Sequence, residues 1–338
     1  MQYAPARILV MQPWIIALIV IAAVIVLLFL LAALSYRFAF GRRYDKGRLL
    51  KYFTAEDFGL EAEEVSIPSK KFALNGFLYR KDGAEEKDGI VVFVHGMGAG
   101  HIAYTTEINY FCNLGYTVLA LDSKGCNLSG GKNIKGMYEG VKTAVAAVDY
   151  VRSHFPGKAV YLVGHSWGGY SVLCASAKRK VEKAVAISAP ATPVRTLYEG
   201  AAKFISKPVA AVLCSFWWII NLLEFGKDGN ANAARQARKN GTPTLLVHGD
   251  KDNIVTPTKA VYYKNYGENV TKYLAEGKAH NPYNTVEAEQ KLAELQYNIS
   301  NSAKMTESER IEYFASFDYK AATEEDKEVM NAIAEFLK

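Results

Sequence analysis

Apolar residues along this chain fall into two kinds of run, separated by length. Short runs at 90–94, 116–121, 159–163, 183–187, 244–248 and 272–275, rich in β-branched and aromatic residues, predict strands, with helix-compatible stretches between them. This alternation predicts an α/β fold, a mostly parallel sheet covered by helices on both faces. Upstream, Val65-Ser-Ile-Pro and Leu74-Asn75-Gly76-Phe-Leu-Tyr predict an opening antiparallel pair with Asn75-Gly76 at or near its turn or bulge. The stretch 285–338 is helical in character. Its last segment carries apolar residues at helical spacing and packs back on the sheet, while 308–326 reads as a solvated face or a peripheral insertion.

One run is different in kind. Residues 15–34 carry no charged or strongly polar side chain, and about twenty helical residues at ~1.5 Å each match a hydrocarbon core of ~30 Å. A cleaved signal peptide is the alternative. The run exceeds the ~7–15 apolar residues of such a signal, and no A-x-A site follows it. The chain of 338 residues thus divides into a tail (1–14), a transmembrane helix (15–34), a basic juxtamembrane linker (35–61) and one globular domain (62–338). Arg7 precedes the apolar run, whereas Arg37, Arg42, Arg43, Lys46, Arg48 and Lys51 follow it, so the positive-inside rule places the domain in the cytoplasm. The net charge of +6 gathers largely beside this helix, where it suits anionic head groups; nucleic-acid binding is not indicated. Cys112, Cys126, Cys174 and Cys214 have no metal-type spacing and form no disulfide framework.

The chemistry concentrates in Val160-Tyr-Leu-Val-Gly164-His165-Ser166-Trp167-Gly168-Gly169. A strand ends here in a serine flanked two residues away on each side by glycine, where a tight turn leaves no room for a Cβ, and a helix-compatible segment follows. This is the order needed to expose a nucleophilic hydroxyl for acyl transfer. Serine needs a base to take its proton and an acid to orient that base. Two histidines follow Ser166. His248 ends an apolar strand, where a structural role fits. His280, in a loop after a strand, suits a general base. Asp250 and Asp252, both in the turn after Gly249, are equal candidates for the acid. The loop His95-Gly96-Met97-Gly98-Ala99-Gly100, after the strand at 90–94, leaves main-chain N–H groups free for an oxyanion hole. It lacks the Gly-Lys-Ser/Thr ending of a phosphate loop.

These motifs together resemble the α/β-hydrolase superfamily, in particular bacterial membrane-anchored serine hydrolases of the esterase/lipase and serine aminopeptidase-like branch. The resemblance covers about residues 62 to 282. Its spacing of Gly249, an aspartate three residues on and a hydrophobic residue after that selects Asp252, with Val255 following, and the order Ser166, Asp252, His280 is that of the family. It implies that the backbone N–H groups of Met97 and Trp167 form the oxyanion hole. Asp122-Ser-Lys-Gly125-Cys-Asn127-Leu-Ser129-Gly130 is similar to the family's D-x-R-G-x-G-x-S-x-G turn, with Lys124 and Asn127 departing from it. Some fifty residues separate the strands ending near Ser188 and starting at Thr244, far beyond the ~2–6 usual in such connections. The family carries its cap there, which assigns 189–242 to a helical lid. Phe216, Trp217 and Trp218 become lid residues, either packed on the core or forming an apolar wall or membrane-dipping face.

The resemblance and the apolar helix together imply a membrane-anchored serine hydrolase acting on esters or thioesters, with the bilayer as its partner and no cofactor or metal; the anchor and the apolar lid point to lipid-like acyl substrates. An aminopeptidase-like peptidase is the second expectation. A catalytically silent hydrolase fold used for interaction is the third, and the complete set of Ser166, Asp252 and His280 argues against it. Nothing in the sequence addresses oligomeric state.

Overall fold

A computed structural model of the protein describes residues 12–69, 71–257, 260–264 and 266–338; Arg7 and the rest of the tail before Gln12 lie outside the described residues. Eight strands form one sheet: β1 (Glu61–Ser69), β2 (Phe72–Arg80), β3 (Gly89–Val94), β4 (Thr117–Leu121), β5 (Ala159–His165), β6 (Lys183–Ile187), β7 (Thr244–Gly249) and β8 (Val270–Ala275). Their spatial order is β1-β2-β4-β3-β5-β6-β7-β8. The pairs β1–β2 and β2–β4 are antiparallel and the rest parallel. Every residue of β3 and β7 is buried, as befits apolar strands covered on both faces.

The helices are α1 (Pro13–Phe40), α2 (Thr105–Asn113), α3 (Tyr138–His154), α4 (Trp167–Ser176), α5 (Pro193–Ala201), α6 (Lys207–Phe225), α7 (Ala233–Lys239), α8 (Val286–Asn301), α9 (Glu307–Ser316), α10 (Tyr319–Ala322) and α11 (Lys327–Leu337). One face of the sheet is covered by α3, α4 and α7, through residues such as Val141, Val148, Leu173 and Ala237. On the other face lie α2 and α11, whose Ile108, Phe111, Met330 and Ile333 share a second core. The helical spacing in the last twelve residues does return that segment to the sheet.

The opening hairpin corrects one expectation. β1 ends at Ser69 and β2 begins at Phe72, while Asn75 and Gly76 sit inside β2 opposite Ser66 and Val65. Gly76 also faces Leu121 of β4, and a Cβ there would strike the carbonyl of Ala120. Close strand approach, not a turn, demands that glycine.

The long apolar helix extends beyond 15–34. With 28 residues α1 spans about 42 Å, more than a hydrocarbon core needs. Its last turns, at Ala32, Tyr36 and Phe40, are buried against the domain. The Trp217 indole N–H donates to the carbonyl of Ala32 (3.2 Å) and to Ser35 Oγ (3.0 Å), and the Tyr36 hydroxyl donates to Asn221 Oδ1 (2.8 Å). The basic segment after α1 is anchored as well. Arg43 donates to the carbonyls of Gly131 (2.6 Å) and Asn127 (2.8 Å), and Tyr44 exchanges main-chain hydrogen bonds with Gly125 and Asn127. Asn127 accepts the left-handed φ of 34° that its turn imposes, which asparagine tolerates better than most residues.

Candidate active site

Ser166 sits between β5 and α4 with φ 55° and ψ −115°, a conformation that L-residues rarely adopt. Its surroundings hold it there. The Ser166 amide donates to the carbonyl of Ile187 (2.8 Å). A Cβ on Gly168 would strike the carbonyl of Val94, and one on Gly164 would meet the main chain of Gly168 at 2.5 Å. The two glycines of the motif are thus demanded by the close approach of β3 and α4 as well as by the turn.

His280, in the loop after β8, places Nε2 3.0 Å from Ser166 Oγ and Nδ1 2.9 Å from Asp252 Oδ2. A carboxylate only accepts, so Nδ1 carries the proton and Nε2 is left to accept from the serine hydroxyl. Asp252 is buried after β7, and its second oxygen accepts from the amides of Ile254 (2.8 Å) and Val255 (2.9 Å). Burial works to raise its pKa, but the hydrogen bond and charge of His280, with the two amides, outweigh burial and hold it below the ordinary aspartate value. Asp250 pairs instead with Lys251 and accepts from the Gly277 amide (2.7 Å). His248 is buried beside the acid, 3.1 Å from the carbonyl of Val255 and 3.5 Å from Asp252 Oδ2, and so buttresses this turn.

The loop at 95–100 lies against the start of α4: a Cβ on Gly168 would come within 2.8 Å of the His95 carbonyl oxygen. Met97 is therefore carried by a loop packed against the helix that Trp167 opens. The Trp167 amide is the first of α4, where N–H groups have no intrahelical acceptor, as an anion-facing donor requires. His95 fixes its loop by donating from Nδ1 to the carbonyl of Gly96 (2.6 Å) and accepting from the Ser123 amide (2.9 Å).

Three residues that local sequence reading overlooked hold the histidine loop. The Glu289 carboxylate of α8 accepts from the amides on both sides of His280, Ala279 (2.7 Å) and Asn281 (2.9 Å). His165 Nε2 lies 2.9 Å from the carbonyl of His280, while its Nδ1 is 2.9 Å from the Tyr104 hydroxyl, to which Gly96 donates its amide (3.0 Å). A carbonyl can only accept, so His165 donates from Nε2 and accepts from Tyr104 at Nδ1. Burial, helped by His280 nearby, pushes the His165 pKa down to about 3 and keeps the ring neutral for both bonds. His165 stands inside the serine motif, so its position was a usable signal. Glu289 had none: in sequence it is one of several glutamates on a charged helix.

Of the two readings of the insertion, packing on the core is the one seen at Phe216 and Trp217, and the residues do not wall the site. Phe216, Trp217 and Trp218 belong to α6, and none of them lines the cavity of about 610 Å³ that opens at His280. Trp217 is fully buried under α1, Phe216 meets Phe29 edge-on at 6.3 Å between ring centres, and Trp218 is half exposed. The physical reason is that α1 offers the insertion an apolar surface to pack on. The cavity is walled instead by 50–53, the start of α2, and helices α8 and α10. Among the described residues no group of three or more His, Cys, Asp or Glu is gathered to hold a metal ion.

The sequence profile of the family described as serine aminopeptidase, S33, matches residues 85–225. The probable aminopeptidase YbaC of Bacillus subtilis (strain 168) is 28% identical over 97 residues, a match spanning 27% of this chain and 30% of that protein. Among solved structures, esterase Pf2001 of Pyrococcus furiosus superposes with a TM-score of 0.57 at 20% identity, covering 77% of this chain and 98% of its own. The α/β hydrolase GrgF from Penicillium sp. sh18 does so with a TM-score of 0.51 at 17% identity, over 70% and 96%. At such identities the structural likeness speaks to the fold.

Proposed function

We propose that this chain, whose fold is that of the α/β hydrolases, is a serine hydrolase of carboxylic esters or thioesters in which Ser166 is the nucleophile. The observation that carries the reading is the hydrogen-bonded line from Ser166 through His280 to Asp252, at 3.0 and 2.9 Å. Ser166 Oγ attacks the carbonyl carbon as His280 Nε2 takes its proton, and Asp252 steadies the imidazolium that forms. The Met97 and Trp167 amides receive the negative oxygen of the tetrahedral intermediate. His280 then gives its proton to the leaving oxygen or sulfur, and an acyl-enzyme remains on Ser166. Water, deprotonated by His280, attacks this acyl group, and the acid departs as Ser166 recovers its proton.

Esters rank ahead of peptides for a reason in the cavity. An aminopeptidase must anchor the substrate's ammonium, and the carboxylate among the cavity-lining residues, Glu289, is already engaged by two main-chain amides. The peptidase reading draws on the family profile over 85–225 and the probable aminopeptidase relative. We also propose that α1 anchors the enzyme in a bilayer: its most apolar window is only 6% buried. The basic residues after α1 support a cytoplasmic side for the domain. Protease accessibility in spheroplasts checks this side, and digestion of the domain from outside would reverse it.

A fluorophosphonate probe tests the central reading. Labelling of the detergent-solubilised full chain, absent in Ser166→Ala, is the expected result. Equal labelling of both proteins, or no labelling of a folded wild type, would overturn it. Turnover of thioesters against aminoacyl anilides then separates the two substrate classes.

A further inference from the structure

Of Ser166, Asp252 and His280, only His280 lines the cavity of about 610 Å³ beside the reacting centre. That volume is in the range of small-molecule sites. Its walls are mainly hydrocarbon: Leu50 and Phe53 come from the segment after the membrane helix, Ile254 from the acid turn, and Leu292, Leu295 and Ile299 from α8. These walls are built elements. Leu295, Phe314 and Tyr319 form a small core of their own, against which Leu50, Phe53 and Ile299 pack. The residues 285–324 that carry α8 to α10 leave and rejoin the domain at one neck. There Asn284 bridges Glu325, the Thr285 amide donates to the Glu324 carbonyl (2.9 Å), and the Asp326 amide to that of Tyr283 (2.7 Å).

We propose that this cavity binds an apolar chain on the leaving-group side of the substrate, so that the preferred substrates are esters or thioesters of a hydrophobic alcohol or thiol. The inference rests on the hydrolase reading above and deepens it. The base that takes the serine proton returns it to the leaving atom, so the leaving group must pass the imidazole edge. The hydrocarbon-lined space lies at that imidazole, whereas the acyl carbon is held at Ser166 and the oxyanion donors, which are not among its lining residues. The cavity is therefore walled by the C-terminal helices and the juxtamembrane segment, with no residue of the insertion between β6 and β7 in its lining.

Two isomeric thioesters test the assignment on the full-length enzyme in detergent. S-octyl thioacetate and S-ethyl thiooctanoate have the same atoms and differ only in which side of the scissile bond bears the chain. With S-ethyl thioacetate as reference, thiol release should rise about fourfold in kcat/KM per methylene added to the thiol until the cavity is full. S-Octyl thioacetate should therefore exceed its isomer by at least tenfold. Leu292→Trp and, independently, Ala293→Phe should bring the octyl-to-ethyl ratio of the thioacetates near one, with unfolding temperatures monitored in parallel. Equal rates for the isomers, or faster turnover of the thiooctanoate, would overturn the assignment while leaving the hydrolase reading intact. If no thioester is cleaved and the fluorophosphonate leaves Ser166 unlabelled, both fall together.

Discussion

Two helical excursions leave the sheet of this protein, and they use apolar surface for opposite ends. The insertion between β6 and β7 turns Ala210, Leu213, Trp217 and Asn221 inward, with Trp217 and Asn221 bonded to the last turns of α1. It leaves Phe204, Trp218 and Leu223 exposed on its outer side. The C-terminal excursion, α8 to α10, turns its apolar residues toward 50–53 and the cavity at His280, and its Glu289 grips the histidine loop. One region thus braces α1 and the other shapes the site. Apolar composition alone does not distinguish them; what each finds to pack on does.

The comparison is strained hardest at the acid. Asp252→Asn should lower kcat by about 10⁴-fold, as loss of the orienting carboxylate does in serine hydrolases, whereas Asp250→Asn should stay within about threefold. Comparable losses in both would mean that the turn after β7 is read wrongly. Next comes Glu289, which we expect to be a positioning residue. Glu289→Ala should lower kcat about tenfold to a hundredfold with KM little changed, since two hydrogen bonds to a charged group are lost, and Glu289→Gln should recover part of it. Burial raises the Glu289 pKa, so wild-type activity should gain an acid-side fall, as Glu289 takes up a proton, that the Gln variant lacks. A changed KM with unchanged kcat would point to substrate contact instead.

On the other excursion, Trp217→Ala removes a fully buried indole and should cost about 3–5 kcal/mol of local packing between α6 and α1, visible as faster proteolysis of the insertion. Its kcat on soluble thioesters should stay within about threefold of wild type, the reverse of the Glu289 pattern. A larger fall would return the insertion to the site.

The smallest effect lies at the neck of the C-terminal excursion. Burial raises the Glu107 carboxyl to about 7, and burial together with the Glu107 charge raises Glu325 to about 9. Folded values above the unfolded ones mean that the folded state holds more protons, so this stability is full below the ordinary value of 4.5 and is lost progressively as pH rises from there, through about 7 for Glu107 and about 9 for Glu325. Glu325→Gln should flatten the decline of the unfolding temperature on the alkaline side. An unchanged slope would show that this carboxyl ionises freely in the folded protein.

Much of the sheet was legible in sequence because apolar strands with β-branched residues are local signals, and all six strands expected from them coincide within a few residues with β3 to β8. Ser166, Asp252 and His280 were legible through motif and chain order, and the structure brings these side chains together. The supports were not. Glu289 acquires its meaning from two amides across space, and Tyr104 from a ring 61 residues away. Gly76 looked like a turn residue because Asn-Gly usually is one, yet the carbonyl of Ala120 sets its need. The walls of the cavity at His280 were not legible because α8 to α10 lie beyond residue 282, where the family resemblance ends, and carry a charged surface that masks their small core.

Mass spectrometry of the acid-quenched enzyme during thioester turnover reaches the central claim most directly. The expected result is one added acyl group, mapped by peptide fragmentation to Ser166 and missing in Ser166→Ala. Turnover with no covalent adduct under conditions of slow deacylation, or an adduct on another residue, would contradict it.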